Sequence, residues 1–422
     1  MPERRYRILV VPTHPVQYAS ANFREMARHP RLDVQVAYCS LSGAEPAHDP
    51  EFGTVVQWDV PLLDGYPWIE VPNRGNGSES FWGLRNPDLW RLIRSGNFDA
   101  LLCLTSYRRA SFWICFFAAR SRGIPFLFGT DAASFEPREP SALKRFLKRL
   151  VWPRIFRLAD QVIVVSTPGR EMMQSLGIPS ERIALLPNVV DNQWWRSASD
   201  NVDRAAIRAS WNIGVDAHVI AFCAKLQEWK RPAHLLRAFA QAQVRNSFLV
   251  IAGEGPLKAN LEAEAKQLDV SDRVRFLGFV NQSHLPAVYT ASDLMVLPSE
   301  YEPFAMVVNE AMLCGCPVVV SDHVGSARDL VAPVAPDFIY PYGNVAALAS
   351  TLQHAFADPA RLQSLRAAAR SRMQTWSPKD NVSAMVNAID RAHALRQDPH
   401  ANPIERSAAN KTQPASSRPA PK

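Results

Sequence analysis

The stretch LPSEYEPFAMVVNEAMLCGCPVVVS, residues 297–321, decides the fold that this sequence predicts. A short apolar run opens it, apolar residues at helical spacing follow over 304–314, and Gly315 ends the helix before a second apolar run. This order of strand, helix and strand is typical of an α/β domain with a parallel sheet. Two carboxylates bracket the start of the helix, with Glu302 in the preceding loop and Glu310 inside the helix.

The N-terminus of this helix indicates a phosphate site. Its first backbone N–H groups have no partner within the helix and carry partial positive charge, and a helix start that follows a parallel strand commonly holds a phosphate. Beyond the phosphate, Glu310 can accept hydrogen bonds from the vicinal hydroxyls of a ribose, while Glu302 can face the group on the other side. Phosphates next to two carboxylates require cations, and Lys225 and Lys230 flank a strand-to-helix loop earlier in the chain.

The same stretch resembles the Glu-x7-Glu signature of the retaining nucleotide-sugar glycosyltransferases of the GT-B fold, family 4 type. The family form is roughly Glu-Gly-Phe-Gly-x4-Glu-Ala-Met-Ala-x-Gly-x-Pro-Val. The chain keeps the residues Glu302, Phe304, Glu310, Ala311, Met312, Gly315 and Pro317. It has Pro303 and Ala305 where the family usually has glycines, and we expect the methyl group of Ala305 to narrow the space for a phosphate. The resemblance implies an α/β fold of two Rossmann-like, doubly wound domains that face a cleft.

The resemblance also implies a function, which is transfer of a sugar from a nucleoside diphosphate sugar to an acceptor hydroxyl with retention of configuration. It assigns catalytic roles to Glu302, Lys225 and Lys230, and Lys225 stands where the family usually has arginine. The donor contacts that it implies are Glu310, Phe304, Ala305, Met306, Val307, Gly253, Gly278, Phe279 and Val280. No Asp-x-Asp metal motif occurs in the sequence. We expect no metal cofactor, because the lysines and the helix N-terminus can stabilise the leaving diphosphate.

Two routes to retention and two rival functions remain open. A carboxylate nucleophile is one route; we expect the other, front-face attack, because the family analogy places Glu302 beside the sugar hydroxyls. The rival functions are a GT-B sugar-nucleotide epimerase and a non-catalytic sugar-nucleotide-binding protein in which Ala305 blocks the phosphate. For the transferase we expect a role in the synthesis of cell-surface polysaccharide or glycolipid.

The first half of the chain resembles the family by pattern alone. GT-B enzymes commonly have a glycine pair after the first strand, and often a histidine after a later strand, and this chain has other polar groups at both places. The carboxyl ends of parallel strands face the ligand crevice, so we expect these groups to contact the acceptor. The acceptor-side candidates are His14, Gln17, Tyr18, Ser106, Tyr107 and Asp131. A capping role for the loop at His14 and for Asp131 remains the alternative.

Residues 43–90 are rich in Gly, Pro, Trp and Asn. Long irregular inserts in compact domains are usually functional, and their aromatic side chains need burial. We expect this insert to form a lid or part of the acceptor surface.

The segment 141–159 predicts a basic amphipathic helix that Pro153 kinks. Such a helix suits an anionic membrane surface, and the alternative is a helix on the domain surface with a solvated basic face. The expected partners are therefore a nucleotide-sugar donor, a sugar or lipid-linked acceptor, and an anionic membrane, with no nucleic acid. The apolar side of this helix contains Leu143, Phe146, Leu147, Leu150, Val151 and Phe156.

The length of 422 residues, at ~150 residues per domain, leaves room for two or three domains. We expect an N-terminal acceptor domain over 1–190, a polar linker, a nucleotide-sugar domain over 205–375, and a closing helix over 376–394 that returns to the first domain. Residues 396–422 predict a disordered tail because they are rich in Pro, Ala, Ser and Lys. The six cysteines lie mostly in apolar runs, which indicates buried free thiols in a reducing compartment. With no long apolar run and no signal-peptide pattern, the sequence predicts a cytoplasmic protein that can lie on the inner face of the membrane.

Overall fold

The computed structural model describes residues 4–49, 53–134 and 141–397. In the first half, buried apolar runs alternate with helical patterns, so strands and helices alternate as well. The strands are β1 (Tyr6–Val11), β2 (Leu32–Tyr38), β3 (Ala47–Asp49), β4 (Thr54–Val56), β5 (Trp68–Glu70), β6 (Ala100–Cys103), β7 (Phe126–Thr130), β8 (Gln161–Val164) and β9 (Ile183–Leu185). The helices are α1 (Gln17–Arg28), α2 (Asp88–Ser95), α3 (Ala110–Arg122), α4 (Ala142–Phe156), α5 (Thr167–Ser175) and α6 (Asn192–Asp200).

The main sheet of this half has seven strands in the order β5-β2-β1-β6-β7-β8-β9, all paired in parallel. β1 and β6 lie inside the sheet and are buried without interruption over 8–11 and 100–103. Such continuous apolar burial is typical of parallel strands with helices on both faces. The loops after β1, β6 and β7 leave the sheet at the same edge, and they carry His14, Ser106 and Asp131.

The second half has the same kind of architecture. Its strands are β10 (His218–Cys223), β11 (Ser247–Ala252), β12 (Val274–Gly278), β13 (Leu294–Leu297), β14 (Val318–Ser321) and β15 (Ile339–Tyr340). Its helices are α7 (Arg204–Ser210), α8 (Pro232–Ala242), α9 (Lys258–Gln267), α10 (Leu285–Ala291), α11 (Met306–Leu313), α12 (Val345–Ala357), α13 (Pro359–Arg372) and α14 (Pro378–Gln397). The six parallel strands have the order β12-β11-β10-β13-β14-β15. Two parallel α/β halves confirm the predicted fold class.

The last helix, α14, returns to the first half of the chain. Its side chains Val382, Met385 and Ile389 are buried in the same core cluster as the central strand β1. An ion pair joins it to the connection between α1 and β2, with Asp390 Oδ1 2.8 Å from Arg31 Nη2. The tail that the sequence predicts to be disordered lies outside the described residues from position 398 onwards.

Two segments have more regular structure than the sequence indicates. The polar linker after position 190 forms α6, where Asp191 Oδ1 accepts a hydrogen bond from the backbone N–H of Trp194 at 3.0 Å and caps the helix. Trp195 in this helix is fully buried, because the helix packs against the second half. The insert over 43–90 contributes β5 to the edge of the first sheet, beside β2. It is therefore only partly irregular.

The basic helix predicted over 141–159 is α4, and Ser141 caps it by accepting a hydrogen bond from the backbone N–H of Lys144 at 3.2 Å. The placement of Phe156 on the same apolar side as Leu143 is wrong. Phe156 is 1% exposed, whereas Leu143 is 67% exposed, and Phe156 stacks on Phe128 with 5.6 Å between ring centroids. The helix therefore has one apolar side in the core and a different one in solvent.

The six cysteines are all buried and unpaired, as the apolar runs around them predict. Among the described helices, none combines the length and the apolar character that crossing a membrane requires.

Candidate active site

The loop between β13 and α11 builds the helix start that the sequence predicts. The helix begins at Met306, two residues later than the apolar periodicity indicates. Ala305 precedes it in a left-handed conformation, with φ 83° and ψ 86°, which costs a residue with a side chain about 1 kcal/mol. The bend turns one face of α11, with Met306, Val307 and Glu310, towards a single cavity.

This cavity, the interdomain cavity, has a volume of about 530 Å³. Its first-half walls include Gln17, Tyr18 and Trp58, and its second-half walls include Gly253, Phe279, Val280 and the face of α11. Donor-side candidates from three separate loops therefore meet at one place. The residues that bring them together lie at the carboxyl ends of β11, β12 and β13, as expected for a ligand site on an open parallel sheet.

Glu310 is the carboxylate that α11 presents to this cavity. Tyr289 donates a hydrogen bond from its hydroxyl to Glu310 Oε2 at 3.0 Å. Burial raises the pKa of Glu310 to about 7, and the bond from Tyr289 lowers it by a smaller amount. A single neutral donor does not replace the water that an ionised carboxylate loses on burial. Hydroxyl groups of a ligand in the cavity would supply the missing donors and favour the charged form.

Two glycines, Gly253 and Gly278, shape the backbone at the edge of the interdomain cavity. A Cβ atom on Gly253 would lie 2.0 Å from the carbonyl oxygen of Ala224, so no other residue fits there without movement of the backbone. Gly278 has a φ of 73°, which turns the chain so that Phe279 and Val280 reach the cavity. Gly278 itself shapes the loop and is not among the residues of the cavity wall.

The insert of the first half covers one side of the interdomain cavity. The ring of Trp58 lies 6.4 Å from the ring of Phe279, centroid to centroid. Next to this contact, Asn281 Nδ2 donates to the carbonyl oxygen of Gln57 at 2.6 Å, and the backbone N–H of Ser283 donates to Asp59 at 3.1 Å. These contacts fasten the insert to the second half at the loop that follows β12.

Lys230 and Glu302 form an ion pair between Nζ and Oε1. The hydroxyl of Ser299 donates to the same carboxylate oxygen at 3.1 Å, and the side chains of Lys230 and Glu302 are 18% and 9% exposed. Neither of them, nor Lys225, belongs to the walls of the interdomain cavity. The resemblance places Glu302 beside the sugar hydroxyls and Lys230 beside the diphosphate. In this structure the two side chains pair with each other next to the cavity.

Phe304 and Ala305 differ from the expected donor contacts. The Phe304 ring is 3% exposed and stacks on Trp376, with 6.1 Å between centroids and 9° between planes. Its side chain therefore packs in the core, and the donor contact expected of Phe304 stays a prediction for its backbone. Ala305 sets the direction of α11 from outside the cavity wall.

The acceptor-side candidates surround a second cavity, the N-terminal cavity, of about 560 Å³. Five of the six belong to its walls, namely His14, Tyr18, Ser106, Tyr107 and Asp131. Gln17 faces the interdomain cavity instead, because neighbouring residues on α1 point in different directions. Tyr18 belongs to the walls of both cavities, so it lies where they adjoin.

Several groups in the N-terminal cavity are held in defined states. Burial lowers the pKa of His14, which favours its neutral form near neutral pH. Burial raises the pKa of Tyr18, and the charge of Asp131 raises it further. The hydroxyl of Tyr107 accepts a hydrogen bond from Trp152 Nε1 at 2.8 Å, which ties this strand-end residue to α4.

Sequence reasoning missed Tyr289 and Arg24. Tyr289 occupies an apolar position of α10, and nothing in that helix indicates a partner for a carboxylate. Arg24 lies on the wall of the interdomain cavity with Asp191, and its Nη2 is 3.5 Å from Asp191 Oδ2. Its spacing of seven residues from Gln17 places both on one face of α1, a signal that could have identified it.

Comparison with known proteins agrees with this geometry. Residues 203–372 match the family model of the glycosyl transferases group 1, and residues 15–189 match that of the glycosyl transferase 4-like domain. The crystal structure of Anabaena HepE in complex with UDP and glucose has the same architecture, with a TM-score of 0.69 and 19% identity over 92% of this chain and 100% of that chain. The chain therefore has the GT-B fold, and each of its halves matches a glycosyltransferase family model.

Two further proteins are similar to this chain in sequence. The 2-deoxystreptamine glucosyltransferase of Streptomyces kanamyceticus is 30% identical over 252 residues, 58% of this chain and 64% of that protein. An uncharacterized glycosyltransferase of Methanocaldococcus jannaschii is 35% identical over 184 residues, 43% of this chain and 47% of that protein. The chain thus spans about half to two thirds of the length of these two relatives.

Proposed function

We propose that this protein moves a sugar from a nucleoside diphosphate sugar to an acceptor hydroxyl with retention of configuration. The observation that carries the proposal is the face of α11 on the interdomain cavity, with Met306 and Val307 in the first turn and Glu310 one turn further. Helix N–H groups suit a diphosphate, and the carboxylate suits the ribose hydroxyls beyond it. Anabaena HepE has been crystallised with UDP-glucose, which supports a donor of this class.

Cations beside the cavity would stabilise the diphosphate as it leaves. In this proposal the diphosphate takes Glu302's place as the partner of Lys230, and the released carboxylate binds hydroxyls of the transferred sugar. Lys225 supplies a second positive charge from the loop after β10, and Arg24 a third from the first half. Fixed charges next to the leaving group lower the barrier because negative charge grows there during the reaction.

We propose front-face attack as the origin of retention. The acceptor oxygen bonds to the anomeric carbon on the face from which the diphosphate departs, the bond from that carbon to the phosphate oxygen breaks, and this oxygen takes the acceptor proton. One observation favours this route over a carboxylate nucleophile. Glu302 lies outside the walls of the interdomain cavity.

The N-terminal cavity is the proposed acceptor site. Tyr18, which borders both cavities, would lie near the reacting hydroxyl. His14 in its neutral form can accept a hydrogen bond from that hydroxyl, and Asp131 can orient a second one. We assign the reaction to the synthesis of cell-surface polysaccharide or glycolipid, which the apolar walls of this cavity support.

The test uses a panel of nucleoside diphosphate sugars, first alone and then with simple glycosides as acceptors, followed by NMR of the products. The proposal expects a new glycoside with the anomeric configuration of the donor, formed when an acceptor is present. Inversion would refute retention. Isomerised donor sugar in the absence of an acceptor would favour the epimerase, and a lack of any product with every donor would favour the non-catalytic binding protein.

A further inference from the structure

The early turns of α4 expose apolar side chains to solvent. These side chains have the spacing of one helix face. Their exposed fractions are 67% for Leu143, 63% for Phe146, 46% for Leu147, 46% for Leu150 and 38% for Val151. We call this set the apolar stripe of α4. The opposite side of the helix is the one that packs in the core, through Trp152, Ile155 and Phe156. A helix that only covers its own domain would bury its apolar stripe, so this stripe suits a partner outside the domain.

Basic residues border the apolar stripe, and α4 contains no acidic residue. At about 100° per residue, Lys144 lies beside Val151 at one edge of the stripe, and Arg149 lies nearest to Phe146 at the other edge. An apolar face between two rows of cations matches an anionic lipid surface, where side chains enter the acyl boundary and cations meet the head groups. The basic residues of these turns are Lys144, Arg145, Lys148 and Arg149.

The N-terminal cavity adjoins the same helix. Lys148 and Trp152 of α4 belong to its walls. The polar groups His14 and Asp131 come from loops at the edge of the sheet, and Asn22, Lys148 and Asn381 come from helices, whereas most of the remaining wall is apolar. A free sugar against the apolar part would bury hydroxyls without partners, and a hydrocarbon would not. The apolar part includes Leu102, Leu104, Phe128, Phe156, Ile163 and Met385.

We propose that α4 docks this protein on an anionic membrane and that the N-terminal cavity takes the apolar portion of a lipid-linked acceptor from that membrane. The acceptor's sugar or phosphate head group then faces the polar loops, and its chain lies along the apolar walls. The term acceptor rests on the proposed transfer function. Docking on the membrane and binding of an alkyl chain do not depend on it, so they can be measured separately.

The first experiment is cosedimentation of the full chain with vesicles of phosphatidylcholine alone and with added phosphatidylglycerol, at low and moderate salt. We expect binding to the anionic vesicles that weakens with salt, and little binding to the neutral ones. Leu147→Ser with Leu150→Ser should weaken binding at least tenfold, because two exposed apolar side chains no longer enter the lipid. These substitutions lie on the surface, so the fold should be kept. Val215→Ser, at an exposed apolar residue of the second half, is the matched control and should bind like the original chain.

Three outcomes would overturn the docking proposal. They are equal binding to neutral and anionic vesicles, binding to neither, and unchanged binding of the double variant. A dimer in solution that dissociates in the double variant would assign the stripe to a second copy of this chain and would also overturn the proposal.

The second experiment probes the cavity with methyl and octyl glucoside, the latter below its micelle concentration, by thermal shift. Octyl glucoside should bind at least tenfold more tightly, since each CH₂ in the apolar part adds to the affinity. Leu104→Trp should remove this advantage by filling the cavity. If the variant does not fold, the difference in affinity between methyl and octyl glucoside on the original protein still tests the proposal. Equal binding of both glycosides, or full octyl binding by folded Leu104→Trp, would contradict the proposal.

Hydrolysis of the donor without acceptor separates this inference from the proposed function. Vesicle and octyl glucoside binding together with no reaction on any donor would leave the membrane site standing and refute the transferase. Donor turnover without vesicle binding would support the transferase and refute the membrane site.

Discussion

The two cavities have nearly the same volume, about 530 and 560 Å³, and their walls differ in chemistry. The interdomain cavity combines a helix start, the half-buried carboxylate Glu310 and a glycine that permits close backbone approach. The N-terminal cavity has polar groups from the strand-end loops and from three helices, and apolar side chains over much of the rest. The difference suggests a division of tasks, in which the second half supplies charge for a diphosphate and the first half supplies shape for an acceptor.

Removal of the cation next to the interdomain cavity should have the largest effect. Lys230→Met should lower turnover by about 10²–10³, the usual cost of losing one stabilising group where charge develops. It should also destabilise the fold by about 3–5 kcal/mol, because Glu302 stays buried without its partner. Steady-state kinetics and thermal unfolding measure the two effects.

The double variant Lys230→Met with Glu302→Gln is the control for this loss. It removes both charges, so it should regain most of the stability and none of the turnover. Activity near that of the original chain in the double variant would show that the pair is structural. The catalytic role proposed for Lys230 beside the interdomain cavity would then be wrong.

Glu310→Gln should have the next largest effect, now on donor affinity. A charge-assisted hydrogen bond contributes about 1.5–3 kcal/mol, so the affinity for the donor should fall roughly ten- to a hundredfold. Binding of octyl glucoside to the N-terminal cavity should not change. Glu262→Gln on the exposed side of α9 is the matched control. Equal affinity in the Glu310 and Glu262 variants would place the ribose elsewhere.

Ala305→Gly should have a smaller effect, in the opposite direction. A glycine adopts the φ of 83° without strain, and it widens the space at the helix start. We expect donor affinity to rise by a few-fold at most, and stability to rise by no more than about 1 kcal/mol. Lower affinity in this variant, measured by titration, would mean that the methyl group makes a contact with the donor.

Chelation should have the smallest effect. We expect EDTA to leave turnover unchanged, because Lys230, Lys225 and the start of α11 supply the positive charge in this account. Loss of activity that magnesium or manganese restores would contradict it. The proposal that the lysines and the start of α11 neutralise the diphosphate without a metal would then be wrong.

The sequence predicts more of the interdomain cavity than of the N-terminal cavity. A diphosphate site needs groups at fixed places along a strand, a loop and a helix, and Glu302, Glu310 and Gly315 mark that order in the chain. The fold class and the gathering of Met306, Val307 and Glu310 follow from it. The packing of the Phe304 ring on Trp376 was not predictable, because an aromatic residue in a motif can serve packing as well as binding.

The N-terminal cavity has no such local signature. Positions at strand ends were enough to indicate His14, Ser106 and Asp131, because the carboxyl ends of parallel strands share one edge. The apolar walls were not predictable, since any apolar residue of β6, β7, α4 or α14 serves a core and a cavity equally well. The periodicity of α4 could have separated the exposed Leu143 from the buried Phe156, because at about 100° per residue the two lie on opposite sides of the helix.

The central claim is that donor hydroxyls bind Glu310 in the interdomain cavity, and proton release on binding tests it most directly. With a pKa of about 7 in the free protein, this carboxyl is about half protonated at pH 7. Hydrogen bonds from the donor favour the ionised form and lower the pKa, so affinity should rise as the pH increases from about 6 to about 8.

Calorimetric titration of the donor at pH 7, in two buffers of different ionisation enthalpy, measures this release. The account predicts release of up to about half a proton per donor bound, and none in Glu310→Gln. No release from the original chain, or the same release from the variant, would contradict it.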